Sequence, residues 1–117
     1  MKLKEIKDKL GAKVVCCENQ MDIDIISGGG ADLMSDVLSA SAKGSVLLTG
    51  QTTPDVIEIC IMAEVGAVVF VRGKKPSEEV IEIAKNNSIP ILITHESMFV
   101  SCGRLYMEGL RGMDGSW

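Results

Sequence analysis

Two stretches, "VLLTGQTTPDVIEI" (46–59) and "AVVFVRGKKPSEEVIEI" (67–83), repeat one pattern. Each opens on an apolar, β-branched run, reaches a glycine (Gly50, Gly73), passes a proline (Pro54, Pro76) and closes on the tetrapeptide Val-Ile-Glu-Ile. The runs predict strands. With no polar alternation, such strands need cover on both faces. A proline just inside the next element suits a helix start, where a missing N–H costs nothing. A third unit follows, with "IPILIT" (89–94) as strand, "HES" (95–97) as loop and "MFVSCGRLYMEGL" (98–110) as helix. Successive strand–helix units of this length predict adjoining parallel strands at "SVLLT" (45–49), "AVVFV" (67–71) and "PILI" (90–93), joined by right-handed crossovers. The fold class is α/β.

Upstream, Leu3, Ile6 and Leu10 recur at helical spacing, and Gly11 fits the C-terminal glycine of that helix. "AKVVCC" (12–17) is a short β-branched run, and "MDIDIIS" (21–27) alternates Ile23 and Ile25 with Asp22 and Asp24, as a strand with one wet face would. Gly28, Gly29 and Gly30 then read as a turn. Leu33, Met34, Val37 and Leu38 mark a helix ending near Gly44.

The 117 residues fit one domain. With 46% hydrophobic residues but only 3% aromatic, the core must be aliphatic, as suits helices packed on a sheet. A formal charge of −4 argues against duplex nucleic acid or an anionic membrane as the main partner. The N-terminus has charges throughout and no signal-peptide h-region, and "CIMAEVGAVVFV" (60–71) is too short to span a bilayer. A cytoplasmic protein with reduced Cys16, Cys17, Cys60 and Cys102 is expected.

In open α/β sheets, ligands bind outside the carboxyl ends of the strands. Three loops meet there: Gly50 to Thr53, Arg72 to Lys75, and Thr94 to Ser97. Arg72, Lys74 and Lys75 precede a helix start near Ser77, where free N–H groups and the helix dipole favour an anion. Thr52 and Thr53 could add hydroxyl donors. The candidate ligand-binding set is therefore Gly50, Gln51, Thr52, Thr53, Arg72, Gly73, Lys74, Lys75, Thr94 and His95, for a nucleotide or other small anionic metabolite. Against it stands a plain solvated loop, because Glu78 and Glu79 already supply negative charge to that helix start.

Other constellations have two readings each. "SGGGADLM" (27–34) lacks the spacing and lysine of a P-loop, and Asp32 would repel an anion, so a tight turn or a subunit contact is the simpler account. His95 beside Glu96 suggests a small enzyme acting on an anionic substrate, yet no Ser or Cys is marked as nucleophile, and capping of the last helix by His95 and Ser97 competes. Cys16 and Cys17, neighbours on a strand, would point to opposite faces. No C-x-x-C pair exists, so neither a metal nor another cofactor is expected; a thiol redox partner using Cys16 or Cys17 is the remaining alternative.

The order "DIISGGGADLMSDVL" (24–38), "VLLTGQTTPDVIEI" and "AVVFVRGKKPSEEVIEIAKNNSIPILITHESMF" (67–99) resembles the DRTGG domain family over about Leu3 to Leu110. Gly50, Gly73, Pro76 and Phe99 keep the family's residue types. Gln51, Thr52 and Thr53 stand where relatives carry Asp-Arg, Arg72 to Lys74 replace Thr-Gly-Gly, and Ser97 to Phe99 replace Asp-Thr-Phe. The resemblance implies a three-layer α/β/α sandwich with a mainly parallel sheet of about five strands. It also implies a non-catalytic regulatory or dimerising module, like those beside CBS domains in pyrophosphatases, in phosphotransacetylases and in the N-terminal domain of HPr kinase. Stand-alone relatives in anaerobic bacteria are often encoded near iron-hydrogenase subunits, which implies a context only, one in which a protein partner in anaerobic redox metabolism could be met. The domain then covers 3–110, leaving 111–117, "RGMDGSW", as a flexible tail or one received by a neighbouring subunit.

A homodimer is expected on two grounds, the family and the hydrophobic content of so short a chain. The candidate seam is Ile25, Ile26, Gly28, Gly29, Gly30, Ala31, Leu33 and Met34, where small residues permit close approach.

Overall fold

The computed structural model describes residues 1–38 and 42–115. The chain runs α1 (Leu3–Leu10), β1 (Lys13–Cys16), a 3₁₀ turn (Glu18–Gln20), β2 (Ser27–Gly30), α2 (Met34–Leu38), β3 (Ser45–Thr49), α3 (Pro54–Met62), β4 (Ala67–Phe70), α4 (Glu78–Asn86), β5 (Ile91–Ile93) and α5 (Met98–Met107). Five strands form one sheet in the order β1-β5-β4-β3-β2. β2, β3, β4 and β5 are parallel neighbours, so the three strands expected to adjoin do so.

The sheet is nonetheless mixed, not mainly parallel as expected, because β1 runs antiparallel to β5 with a register shift between Val14 and Cys16. The crossover argument binds only strands joined through a helix. β1 enters from α1 and leaves toward β2 at the far edge, so nothing local fixes its direction.

Stepping always the same way along the sheet with right-handed crossovers carries the connecting helices to a common face. Buried Val37 of α2, Val56, Ile57 and Cys60 of α3, and Val80 and Ala84 of α4 share a core with Leu47, Val68, Phe70 and Ile91. Leu3, Ile6 and Leu10 of α1 and Leu105 of α5 share another with Val46, Leu48, Ala67, Val69 and Leu92. Successive core residues of β3, β4 and β5 thus belong to alternate cores, which is why the middles of β3 and β4 had to be apolar without interruption.

β2 departs most from expectation. Gly28, Gly29 and Gly30 are not a turn but an edge strand paired residue by residue with Val46, Leu47 and Leu48. A Cβ at Gly28 would lie 2.9 Å from Leu110 Cδ2, one at Gly29 2.8 Å from Met113 Cε, and one at Gly30 2.6 Å from Cys102 Sγ. The glycines let α5 and the segment after it close onto the sheet. The expected strand at 21–27 reduces to a bridge between Asp24 and Lys2 ahead of β2.

The expected tail is also revised. Gly28 N–H donates to Arg111 O at 2.9 Å, Met113 N–H donates to Gly28 O at 2.9 Å, and Met113 is buried against its own chain. Residues 111–113 thus extend the sheet edge. Trp117 lies outside the described residues, as do residues 39–41 of the stretch expected to be helical up to Gly44.

Candidate functional site

The loops after β2, β3, β4 and β5 meet at one end of the sheet, and Asp32 ties the first two together. Its Oδ1 accepts from Gly50 N–H at 2.8 Å and from the Thr49 hydroxyl at 3.1 Å. The same hydroxyl accepts from Gln51 N–H at 3.1 Å. Sequence reasoning treated Asp32 only as a charge that would repel an anion. Its structural role could have been sought in the pairing of an acceptor past one strand with a Thr-Gly strand end on the next.

The β4 loop is a tight turn. Lys74 N–H donates to Val71 O at 3.2 Å, and both central residues are left-handed, Arg72 at φ 56° and Gly73 at φ 67°. Glycine adopts this freely; arginine does so at a cost of roughly 1 kcal/mol or more. The turn is held from the β5 loop, where Glu96 O accepts from Arg72 N–H and Thr94 O accepts from Gly73 N–H, both at 2.8 Å. This backbone aims the Arg72 guanidinium across to the neighbouring loop, against the space a Gly50 side chain would need. The His95 ring packs on Gly73 in the same way, its Nδ1 3.0 Å from the position of a Cβ.

Gly50, Arg72, Gly73 and His95 therefore form one contiguous strip. Arg72, Lys74 and Lys75 are exposed and make no ion pair among the described residues. Thr53 occupies the N-cap position of α3, but its side chain makes no capping bond, and Pro54 follows it. The hydroxyls of Thr52 and Thr53 make no hydrogen bond among the described residues.

Thr94 does not belong to this edge. It is fully buried, its hydroxyl donating to Leu10 O at 2.7 Å and accepting from Glu96 N–H at 3.2 Å. It fastens α1 beneath the loop. Glu96 does not pair with His95 either: its carboxylate lies 3.4 Å from the Arg104 guanidinium on α5. Ser77 and Ser97 cap α4 and α5 through the N–H groups of Val80 and Val100.

Three of the four thiols, those of Cys16, Cys60 and Cys102, are poorly placed for chemistry. Cys16 is buried, its Sγ donating to Ile89 O at 3.5 Å, and burial pushes its pKa up to about 11. Burial pushes Cys60 up to about 12 and also raises Cys102. Cys17 is not a strand residue as expected; β1 ends at Cys16, and Cys17 turns left-handed at φ 62° to begin the 3₁₀ turn.

The expected subunit seam is split. Ile25 is 1% exposed in the core of its own chain, while Ile26 and Leu33 are exposed. A hollow of about 800 Å³ opens beside β2, walled by Gly29, Val37, Leu47 and Met113. Among the described residues, Asp36 and Asp114 line it and no basic side chain does, a charge unfavourable to a phosphate.

Fold and site together define a small α/β module with an anion-compatible loop edge. The chain belongs to the DRTGG domain family, whose profile matches residues 5–106. Its fold is similar to that in the crystal structure of the CBS and DRTGG domains of the regulatory region of Clostridium perfringens pyrophosphatase, complexed with the activator diadenosine tetraphosphate. The TM-score is 0.74 at 22% identity, over 89% of this chain and 45% of that one. The chain thus spans under half of that structure. No curated protein matches it.

Proposed function

We propose that this chain is a non-catalytic regulatory module that senses a nucleotide or other small anionic metabolite at the loop edge of its sheet. The observation that carries the reading is Arg72. A left-handed backbone is held by two hydrogen bonds from the β5 loop, and it delivers a guanidinium with no ion pair among the described residues onto the bare backbone of Gly50. Strain held in place by surrounding structure is a mark of function, and a planar guanidinium is suited to bidentate phosphate recognition. Lys74, Lys75 and the hydroxyls of Thr52 and Thr53 supplement it, and His95 forms its far wall.

Membership in the DRTGG family and the fold shared with a pyrophosphatase regulatory region support a regulatory role. The pairing of Glu96 with Arg104 counts against an acid–base couple with His95. The raised pKa of Cys16 counts against that residue as the thiol of a redox partner, since the thiolate is the reactive form. The layering we adopt is α/β/α, with α1 and α5 on one face and α2 to α4 on the other. A reduced, cytoplasmic setting accords with four free cysteines.

Calorimetric titration of the chain with ATP, diadenosine tetraphosphate and pyrophosphate, each against a sulfate control, tests this reading. Saturable binding of one of them that Arg72→Ala weakens tenfold or more, while Lys13→Ala leaves it unchanged, is the expected result. Binding indifferent to Arg72, or none at millimolar ligand, would overturn it.

A further inference from the structure

On the reading that the loop edge binds an anion, we propose that Asp32 makes it select a ribonucleotide over a bare inorganic phosphate. Its carboxylate accepts a hydrogen bond from a sugar hydroxyl while Arg72 holds the neighbouring phosphate.

The position that a Gly50 Cβ would take is in contact with the Arg72 guanidinium and lies 3.5 Å from Asp32 Oδ1. The two charged groups thus flank one bare glycine. Both are exposed, and no ion pair joins them among the described residues. Asp32 is held back from the arginine, because its Oδ1 already accepts from Gly50 N–H at 2.8 Å and from the Thr49 hydroxyl at 3.1 Å. Its Oδ2 accepts no hydrogen bond among the described residues.

That spacing selects the group that sits between them. One oxygen hydrogen-bonded on both sides spans roughly 5–6 Å, so a single atom reaches from carboxylate to guanidinium. A metal ion there would gain the carboxylate but stand against a fixed positive charge. An ammonium group donates to Asp32 yet has nothing with which to accept from Arg72, and an ionised phosphate oxygen has the reverse defect. A hydroxyl does both: its O–H donates to the carboxylate and its lone pairs accept from the guanidinium. The remaining N–H donors of Arg72, with Lys74 and Lys75 exposed on the same turn, are left for a phosphate of the same ligand. An acidic side chain taking a ribose hydroxyl, beside a phosphate site at the carboxyl ends of parallel strands, is how dinucleotide-binding sheets hold their ligands. Asp32 therefore opposes an anion that brings no donor and favours one that does.

Calorimetric titration of the full chain in metal-free buffer with ATP, 2′-deoxy-ATP, 3′-deoxy-ATP and inorganic tripolyphosphate tests this, near pH 8 so that the terminal phosphates carry no proton to donate. The wild type should bind ATP about tenfold more tightly than at least one of the deoxy analogues, the worth of a hydrogen bond to a charged group. Asp32→Asn keeps an oxygen for Gly50 N–H and Thr49 but removes the charge. In that variant ATP should weaken, its preference over the deoxy analogue should vanish, and tripolyphosphate should bind more tightly, a crossing that neither misfolding nor plain repulsion by Asp32 would give. The wild-type comparison of ATP with its deoxy analogues stands even if the variant fails to fold. Equal binding of ATP and both analogues, tighter binding of every ligand to Asp32→Asn, or ATP binding that needs added Mg²⁺ would overturn the role of Asp32 and leave Arg72-dependent anion binding in place. Loss of the Arg72 dependence itself would remove the anion reading, and the role of Asp32 with it.

Discussion

The Arg72 guanidinium occupies the space that a side chain at Gly50 would fill, so the two residues are mutually exclusive beyond glycine. Gly50→Ala is therefore expected to displace the arginine, not the sheet. The displaced atoms are the far end of a flexible exposed chain, so stability should change by no more than about 1 kcal/mol. Affinity for whichever phosphate ligand binds the wild type should fall severalfold. Urea denaturation and calorimetry on the same variant check both halves; a large loss of stability with binding intact would show the relationship to be structural only.

Cys102 and Gly30 form a second exclusive pair, across the contact of α5 with β2. A methyl at Gly30 would lie 2.6 Å from Cys102 Sγ and 3.3 Å from Met98 Cγ. Gly30→Ala should cost roughly 1–3 kcal/mol as overpacking. Cys102→Ala should return most of that in the double variant, because it removes the atom in the way. Denaturant midpoints of the four proteins form the cycle, and a null coupling energy would sink the argument.

These pairs also show what the sequence could and could not disclose. The strand–loop–helix units at 45–59 and 67–83 were legible because their hydrophobic period and proline placement are local. Gly28 to Gly30 were not, since a glycine run looks alike in a turn and in a strand beneath a helix; what decides is Leu110, Met113 and Cys102, more than 70 residues on. The antiparallel β1 was hidden for want of a crossover to orient it. At the site, the loop carrying Arg72 could be placed at a strand end. That Thr94 is spent on Leu10 O could not be seen, because the acceptor comes from a helix 84 residues away.

Ser101 makes a test of the core beneath α5. Its hydroxyl is fully buried with no hydrogen-bond partner among the described residues. An unmade bond of this kind costs about 1–3 kcal/mol. Ser101→Ala should accordingly be neutral or raise stability by about 1 kcal/mol, with the rest of the penalty offset by the small void left behind. A loss of that size in thermal or chemical unfolding would mean that the hydroxyl has a partner, such as an ordered water.

Cys60 predicts the alkaline limit of the fold. Burial raises its pKa from 9.0 to about 12, so the native thiol stays neutral over a range in which the unfolded chain ionises. The contribution is intact below pH 9 and is lost progressively as pH climbs toward 12, because the unfolded state sheds its proton first. The slope approaches about 1.4 kcal/mol per pH unit for one thiol. Cys16, raised to about 11, adds a shorter window of the same sign. Lysine and tyrosine titrate in this range too, so the measurement is a difference: denaturant midpoints of wild type and Cys60→Ala at steps from pH 8 to 11. The variant should start lower by a constant packing loss and then fall less steeply, so that the two curves converge. Curves that stay parallel would mean that the Cys60 thiol ionises alike in both states.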